Sequence, residues 1–407
     1  MATLARPVVP ILSLVLLIAA AILLNYVDRG TIAVAAPLMK AELGLSATGF
    51  GVAVSAFFWV YAPIQLAVGW CCDRFHVYRL IAGGLFVWAL STAAMGFVGT
   101  LTGLIALRLL LGLGESIAFP AASKIICRHV PASRRGVANS AIAAALALGP
   151  AVGTLAGGLL MINFGWRAMF VVCGLSTLLW FLPWSALMRS LPAAHGQPVE
   201  RFPVARLVRT RALAATSFCH FAGNYSLYFL LAWLPLYLTQ QRGLSISTMT
   251  VVATLAYLAQ AASAIATGVF SDRLIADGAD DGRVFRLFSV CGIGLVGVSI
   301  VGIALATNIY QLLAFLLLAG AGCGPCSVTL YAVAQIFAGP RAAGTYVGVQ
   351  NAVGNVAGII APIVTGMIVD ATGSFVNAFY VAAAICGAGA VSWAVAVPRI
   401  AALELDA

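Results

Sequence analysis

Charge is what this chain most conspicuously lacks. Only 8% of its 407 residues are charged, whereas 62% are hydrophobic, and a soluble domain carries about 25% charged residues. With a mean hydropathy of +1.05, the composition excludes a water-soluble domain of any size. At roughly 20 residues per membrane-crossing helix, the length allows about twelve spans. Histidine is scarce too, at four residues, with no His-rich cluster and no nucleophile–base arrangement, so neither a catalytic metal nor a cofactor is implied. Long polar segments are also missing: the longest is SLPAAHGQPVERFPVARLVRTR, within Arg189 to Arg211.

The apolar runs predict helices near 9–37, 47–69, 80–99, 102–124, 136–160 and 167–187, then near 212–238, 247–270, 284–305, 310–333, 344–369 and 375–397. The expected fold is therefore all-α and integral to a membrane, with twelve transmembrane helices in two pseudo-symmetric six-helix bundles. Residues 1–188 and 212–407 form the bundles, and 189–211 form a cytoplasmic linker. The first run is too long for a cleaved signal sequence and contains the Asp28–Arg29 pair, so it is expected to be retained.

Lys and Arg fall almost entirely on the side of the N-terminus, with only Lys40, Arg167 and Arg242 opposite. The positive-inside rule puts both termini in the cytoplasm. The net charge of +10 thus reports topology rather than nucleic-acid binding, since no aromatic platform is interleaved with the basic residues. Nine cysteines, an odd number, lie mostly in spans or on the reducing side, which argues against disulfides. Cys323 and Cys326 make a CxxC spacing that reads better as small packing residues than as a metal or redox site.

Against this apolar background five ionisable side chains fall deep inside spans: Asp28, Arg29, Arg108, Glu115 and His220. An unpaired charge at mid-depth costs about 2.5–3.5 kcal/mol on insertion scales, so two acids and two arginines there imply a polar interior pathway, the mark of a transporter. Arg108 and Glu115 are seven residues apart, nearly two helical turns, and share one face at different depths. Asp28 and Arg29 point about 100° apart, so one can face a cavity while the other meets a neighbouring helix. His220 reads as a packing histidine or, as a second option, a proton relay.

An internal repeat accompanies the two halves. GWCCDRFHVYR follows the second predicted span and GVFSDRLIADGADDGRVFR the eighth; both carry Gly-x-x-x-Asp-Arg, as Gly69, Asp73, Arg74 and Gly268, Asp272, Arg273. Loop pairing that breaks and reforms suits a rocking transporter built of two related halves.

With NYVDRGTIAVAAP in the first span, RLLLGLGESIAFPA in the fourth and GVQNAVGNVAGIIAPIVTGMIVDATGSF in the eleventh, the chain resembles the major facilitator superfamily over nearly its whole length. More narrowly, it resembles the anion:cation symporter branch of sugar-acid permeases and vesicular glutamate and sialic acid carriers. The resemblance implies two bundles about a central cavity that opens alternately to either side. It also implies that Arg29 is the substrate-anion arginine and Asp28 a proton-coupling acid, and that Arg108 and Glu115 are the family's Arg-x6-Glu pair. Tyr61 and Gln65 match cavity positions of the second span, Asn224 with Tyr225 a polar patch of the seventh, and Asn351 and Asn355 polar positions of the eleventh.

An arginine suits a carboxylate because its planar fork gives two parallel charge-assisted bonds. An anion bound at Arg29 would loosen that arginine's hold on a nearby carboxylate and favour its protonation, which makes Glu115 and Asp28 the expected proton carriers. The alternative is that these groups only neutralise one another. The sequence does not decide whether Tyr228 and Trp233 pack or face the cavity.

The stretch AIAAALALGPAVG, Ala141 to Gly153 of the fifth predicted span, offers no polar side chain, and Leu146 on it is expected to border the cavity. The seventh has Gly223 where vesicular relatives carry an arginine. Both departures favour a less hydroxylated carboxylate over a sugar acid or dicarboxylate. The expected function is proton-coupled symport of a small organic anion across a bacterial inner membrane, by a protein active as a monomer in the lipid bilayer. The alternatives are proton-linked efflux of an amphiphilic metabolite, to which the GPAVGTLAGG stretch gives some support, and a transport-derived anion sensor.

Overall fold

In lipid each backbone N–H and C=O must be satisfied within the chain, so apolar runs of this length become helices. The computed structural model describes residues 11–130, 135–189 and 207–403, and these are almost wholly helical. The first half comprises α1 (Ile11–Glu42), α2 (Ala47–Arg74), α3 (Val77–Met95), α4 (Leu101–Glu115), α5 (Ala118–His129), α6 (Arg135–Thr177) and α7 (Phe181–Met188). The second comprises α8 (Arg211–Leu236), α9 (Ile246–Ala276), α10 (Asp281–Leu305), α11 (Ile309–Asn355), α12 (Ala357–Thr372) and α13 (Val376–Val391).

Local chemistry sets many of the boundaries. Ser46, Thr100, Thr210, Ser245, Asp280 and Asn308 each stand just before a helix, and each side chain accepts from the backbone N–H three residues on. Such caps are worth about 1 kcal/mol apiece. Gly373 ends α12 in the left-handed conformation, φ 66°, where a Cβ would be strained.

The segments are divided differently in places from the twelve separate helices read from the sequence. The fifth and sixth spans are joined in α6, whose one non-helical residue is Gly165 at φ 80°, ψ 167°; glycine supplies the turn without a loop. The tenth and eleventh run together in α11, and the eleventh then breaks after Asn355. The fourth is split between α4 and α5. Among the described residues ten helices are long and apolar enough to cross a membrane. Counting Ala141–Met188 as two crossings about Gly165, and adding the more polar α8, accounts for the expected spans.

Close helix approach relies on small residues, as expected where lipid supplies no hydrophobic drive between helices. A Cβ at Gly153 on α6 would stand 2.5 Å from the Val27 carbonyl oxygen on α1, and one at Gly112 on α4 would stand 2.3 Å from that of Phe57 on α2. The glycines of GPAVG therefore act in helix packing. The halves meet where α2 packs on α12 and α11, α6 on α9, and α1 on α8. On the face opposite the chain termini, Glu42 is clamped by Trp166 Nε1 at 2.6 Å and Arg167 Nη2 at 2.9 Å, tying the end of α1 to α6.

Candidate functional site

Arg29 projects from the middle of α1 toward α2 and α4. Its Nε donates to Glu115 Oε2 at 3.2 Å, and both residues are buried. Aromatic rings surround the rest of the guanidinium, whose centre lies 4.7 Å from the Tyr61 ring centroid, 4.8 Å from Phe57 and 4.8 Å from Tyr26. Rings at this distance attract a cation through their quadrupoles and exclude water from it.

Arg108 reaches the same place from α4. It donates to the Val54 carbonyl at 3.0 Å, and its guanidinium lies 5.0 Å from the Phe57 ring. Phe57 is thus a wall shared by the two cations. Gly112 holds it there, since only a glycine lets α4 approach the Phe57 backbone so closely. The Arg-x6-Glu pair on the fourth span is not a contact between its own members. Seven residues rise about 10 Å, so Glu115 finds its partner across the bundle in Arg29.

Asp28 turns the other way. Its Oδ2 accepts from Thr92 on α3 at 3.1 Å, and the residue is 2% exposed. It sits behind Arg29, inside the first half, and does not line the cavity.

The cavity lies between the halves. Arg29 and Arg108 supply its charge, Phe57, Phe58 and Tyr228 its aromatic wall, and Ile32, Val54, Leu231 and Pro362 much of the apolar remainder. Arg29 Nη2, Arg108 Nε and Arg108 Nη1 are buried and make no hydrogen bond among the described residues. A buried donor without an acceptor is costly, all the more when it carries charge. An anionic group placed there would meet those donors with charge-assisted bonds.

Toward the side of the termini a polar chain crosses between the halves. Asn351 Nδ2 donates to Gln65 Oε1 at 2.9 Å, Asn355 Nδ2 to the Asn351 carbonyl at 2.8 Å, and Tyr228 Oη to Asn355 Oδ1 at 2.7 Å. Gln65, Asn351 and Asn355 are thus brought together, whereas Tyr61 stacks on Phe57 at 4.9 Å and packs on Arg29. On α8 the polar cavity residue is Tyr228, one turn after Asn224 on the same face, whereas buried Tyr225 packs against Phe221 at 6.1 Å. The four-residue step from Asn224 was the signal for Tyr228. Trp233 packs edge-on against Phe50 at 5.5 Å.

Leu146 is half-buried against the core and is not among the residues lining the cavity. His220 packs its ring on Gly354, where a Cβ would stand 2.5 Å away. Asp272 and Arg273 are exposed at the end of α9, and Arg74 at the end of α2. A Cβ at Gly268 would meet nothing within 4 Å. The surroundings of Gly69 and the side chain of Asp73, like the linker positions 190–206, lie outside what the structure describes. Tyr26, Phe57 and Phe58 were not singled out from the sequence, since aromatic residues are common in any apolar span.

A multi-pass helical membrane protein whose buried ionisable groups converge on a cavity between two bundles is a transporter. Comparison with known proteins places it further. Residues 18–279 and 234–404 match the Major Facilitator Superfamily. The hexuronate transporter of Bacillus subtilis (strain 168) is 30% identical over 383 residues, 88% of each chain. The probable sulfoacetate transporter of Cupriavidus necator is 29% identical over 388 residues, covering 90% of this chain and 89% of that one. Among solved structures, a bacterial homolog of the human lysosomal transporter Spinster, in an inward-facing and unoccupied conformation, shares the fold. It has a TM-score of 0.75 and 18% identity, over 95% of this chain and 96% of that one. The chain belongs to the Major Facilitator Superfamily, a family of transporters and not of enzymes, and the resemblance to its anion:cation symporter branch stands with these relatives.

Proposed function

We propose that this protein is a secondary active transporter that moves a small organic anion together with protons by alternating access. The observation that carries the reading is the pair of buried guanidiniums, with three unpaired donors, beside a cavity between the halves. Relatives named for hexuronate, sulfoacetate and galactarate or glucarate, all organic anions, support it.

The coupling we infer follows from charge balance. The buried cluster holds two arginines and two carboxylates, Asp28 behind Arg29 and Glu115 bonded to it, so it is neutral when all four are ionised. Taking up one proton leaves a net positive charge that favours an anion, and an anion at Arg29 in turn releases Glu115 to hold the proton. Residues 1–188 and 212–407 are the rocking bundles, 189–211 their linker. The repeated Gly69, Asp73, Arg74 and Gly268, Asp272, Arg273 act at the gating loops. By the positive-inside rule both termini are cytoplasmic, the membrane we infer is a bacterial inner membrane, and a monomer suffices because one chain contains the whole site.

The substrate we favour is a carboxylate with few hydroxyl groups. Apart from the two arginines, Tyr228 brings the one polar side chain to a wall otherwise apolar or aromatic, so a polyol would leave hydroxyls unpaired. Proteoliposomes under imposed pH and potential gradients, given a panel of carboxylates, test this directly. Accumulation of a short, sparsely hydroxylated anion that collapses with the pH gradient is expected. Binding without flux would favour a sensor, and indifference to the proton gradient would remove the coupling. In the same assay Leu231→Gln should shift the ratio of sugar-acid to short-carboxylate uptake about tenfold toward the sugar acid, because an amide on the apolar wall rewards hydroxyls and penalises an alkyl tail. An unchanged ranking would take Leu231 out of the specificity surface.

A further inference from the structure

The first turn of any helix leaves N–H groups without intrahelical partners, and at α2 some of these are met from the other half of the molecule. Ser46 Oγ takes the N–H of Gly49 at 3.0 Å within its own turn. The two donors before it go to a single carboxylate on α12: Ala47 N–H to Asp370 Oδ1 at 2.8 Å, and Thr48 N–H to Asp370 Oδ2 at 2.7 Å. Both carboxylate oxygens are engaged, at the positive end of the helix dipole, by residues more than 300 positions away in the chain.

This contact heads a seam. One turn inward from Asp370, a Cβ on Gly366 would stand 2.5 Å from the Ala47 carbonyl oxygen and 2.8 Å from Thr48 Cα; a further turn in, a Cβ on Gly51 would stand 2.3 Å from the Pro362 carbonyl oxygen. Pro362 itself lines the cavity. Backbone thus lies against backbone from the helix ends, on the face opposite the chain termini, down to the cavity wall. A second crossing on that face sets Gly158 of α6 against Thr250 of α9, with a Cβ position 2.2 Å from Thr250 Oγ1.

We infer that Asp370 is a releasable latch: its carboxylate, by capping α2, holds the two halves shut on the face opposite the termini and sets the balance between the transporter's two openings. The inference rests on alternating access but not on the identity of the cargo. The seam holds little side-chain bulk to interlock, so separating α2 from α12 breaks close backbone packing and these two charge-assisted bonds together. Asp370 is exposed, so water replaces the helix N–H groups when the halves part, and the bond can be remade each cycle. On the side of the termini, the corresponding bridge between halves is the neutral amide pair of Gln65 and Asn351.

Hydrogen–deuterium exchange of the full-length protein in lipid nanodiscs, with no substrate added, tests the latch without recourse to transport. In Asp370→Ala, peptides covering 46–54 and 360–370 should exchange about tenfold faster than in wild type, the size expected for loss of a helix cap. Peptides covering 61–68 and 346–355, on the other side of the cavity, should become slower, because opening one face closes the other. Asp370→Asn, which keeps one acceptor, should fall between. Gly51→Ala leaves the carboxylate in place but wedges the seam, and should give the same reciprocal pattern. Faster exchange confined to 46–49, with 61–68 and 346–355 unchanged, would mean that Asp370 caps a helix and nothing more. Unchanged exchange in the whole seam would overturn the proposal outright.

Discussion

Arg29→Lys protein should insert and fold normally yet transport its anion with kcat/KM lower by about 100-fold, the factor corresponding to loss of one charge-assisted hydrogen bond of 2–3 kcal/mol. The charge is kept, so a purely electrostatic role for Arg29 would tolerate the change. What is lost is the planar fork. In the native protein one edge of that fork is committed to Glu115 through Nε while Nη2 is free for a ligand. Lysine offers one point charge to both tasks. It also forfeits the flat contact with Tyr26, Phe57 and Tyr61 that holds the guanidinium in place. Initial rates in proteoliposomes at matched protein content, with ligand binding on the same preparation, provide the measurement. Near-native affinity and rate would remove Arg29 from the substrate site.

Glu115→Gln separates coupling from carriage. Glu115 is fully buried and bonded to Arg29, and in the proposed coupling its charge is what links a proton to the anion. The amide cannot take up or release a proton. A gradient of one pH unit is worth about 1.4 kcal/mol per proton, roughly tenfold accumulation in the native protein. The variant should bring its anion only to equal concentrations inside and out, while exchange of labelled for unlabelled anion continues within about threefold of native, since Arg29 and Arg108 still bind it. If accumulation and exchange fall together in folded, ligand-binding protein, Glu115 has no separable part in coupling and its role is to hold Arg29.

Where the sequence was legible, the causes were local. The apolar runs marked most of the helices because hydropathy is a property of each segment alone. Asp28, Arg29, Arg108 and Glu115 stood out because lipid makes any charge conspicuous. Gln65, Asn351 and Asn355, singled out as polar residues in apolar spans, lie together in one hydrogen-bonded chain. Other parts were hidden for an equally physical reason. Membrane helices are apolar all round, so no polar stripe tells which face meets the cavity. Leu146 was accordingly turned wrongly, and Tyr228 was left undecided beside Tyr225.

The sequence by itself thus determined the class of protein, the number and approximate placement of its spans, and the small set of charges that must work together. These follow from hydropathy and the cost of charge in lipid, each of which acts within a helix or between one helix and its solvent. Only the tertiary structure decided who meets whom. It paired Glu115 with Arg29 rather than Arg108, set Phe57 between two cations, turned Asp28 back toward Thr92, and carried Asp370 to the start of α2. Those outcomes depend on how closely helix backbones approach, which Gly51, Gly112, Gly153 and Gly366 set to within a few ångströms, and no spacing along a single helix encodes a distance between two.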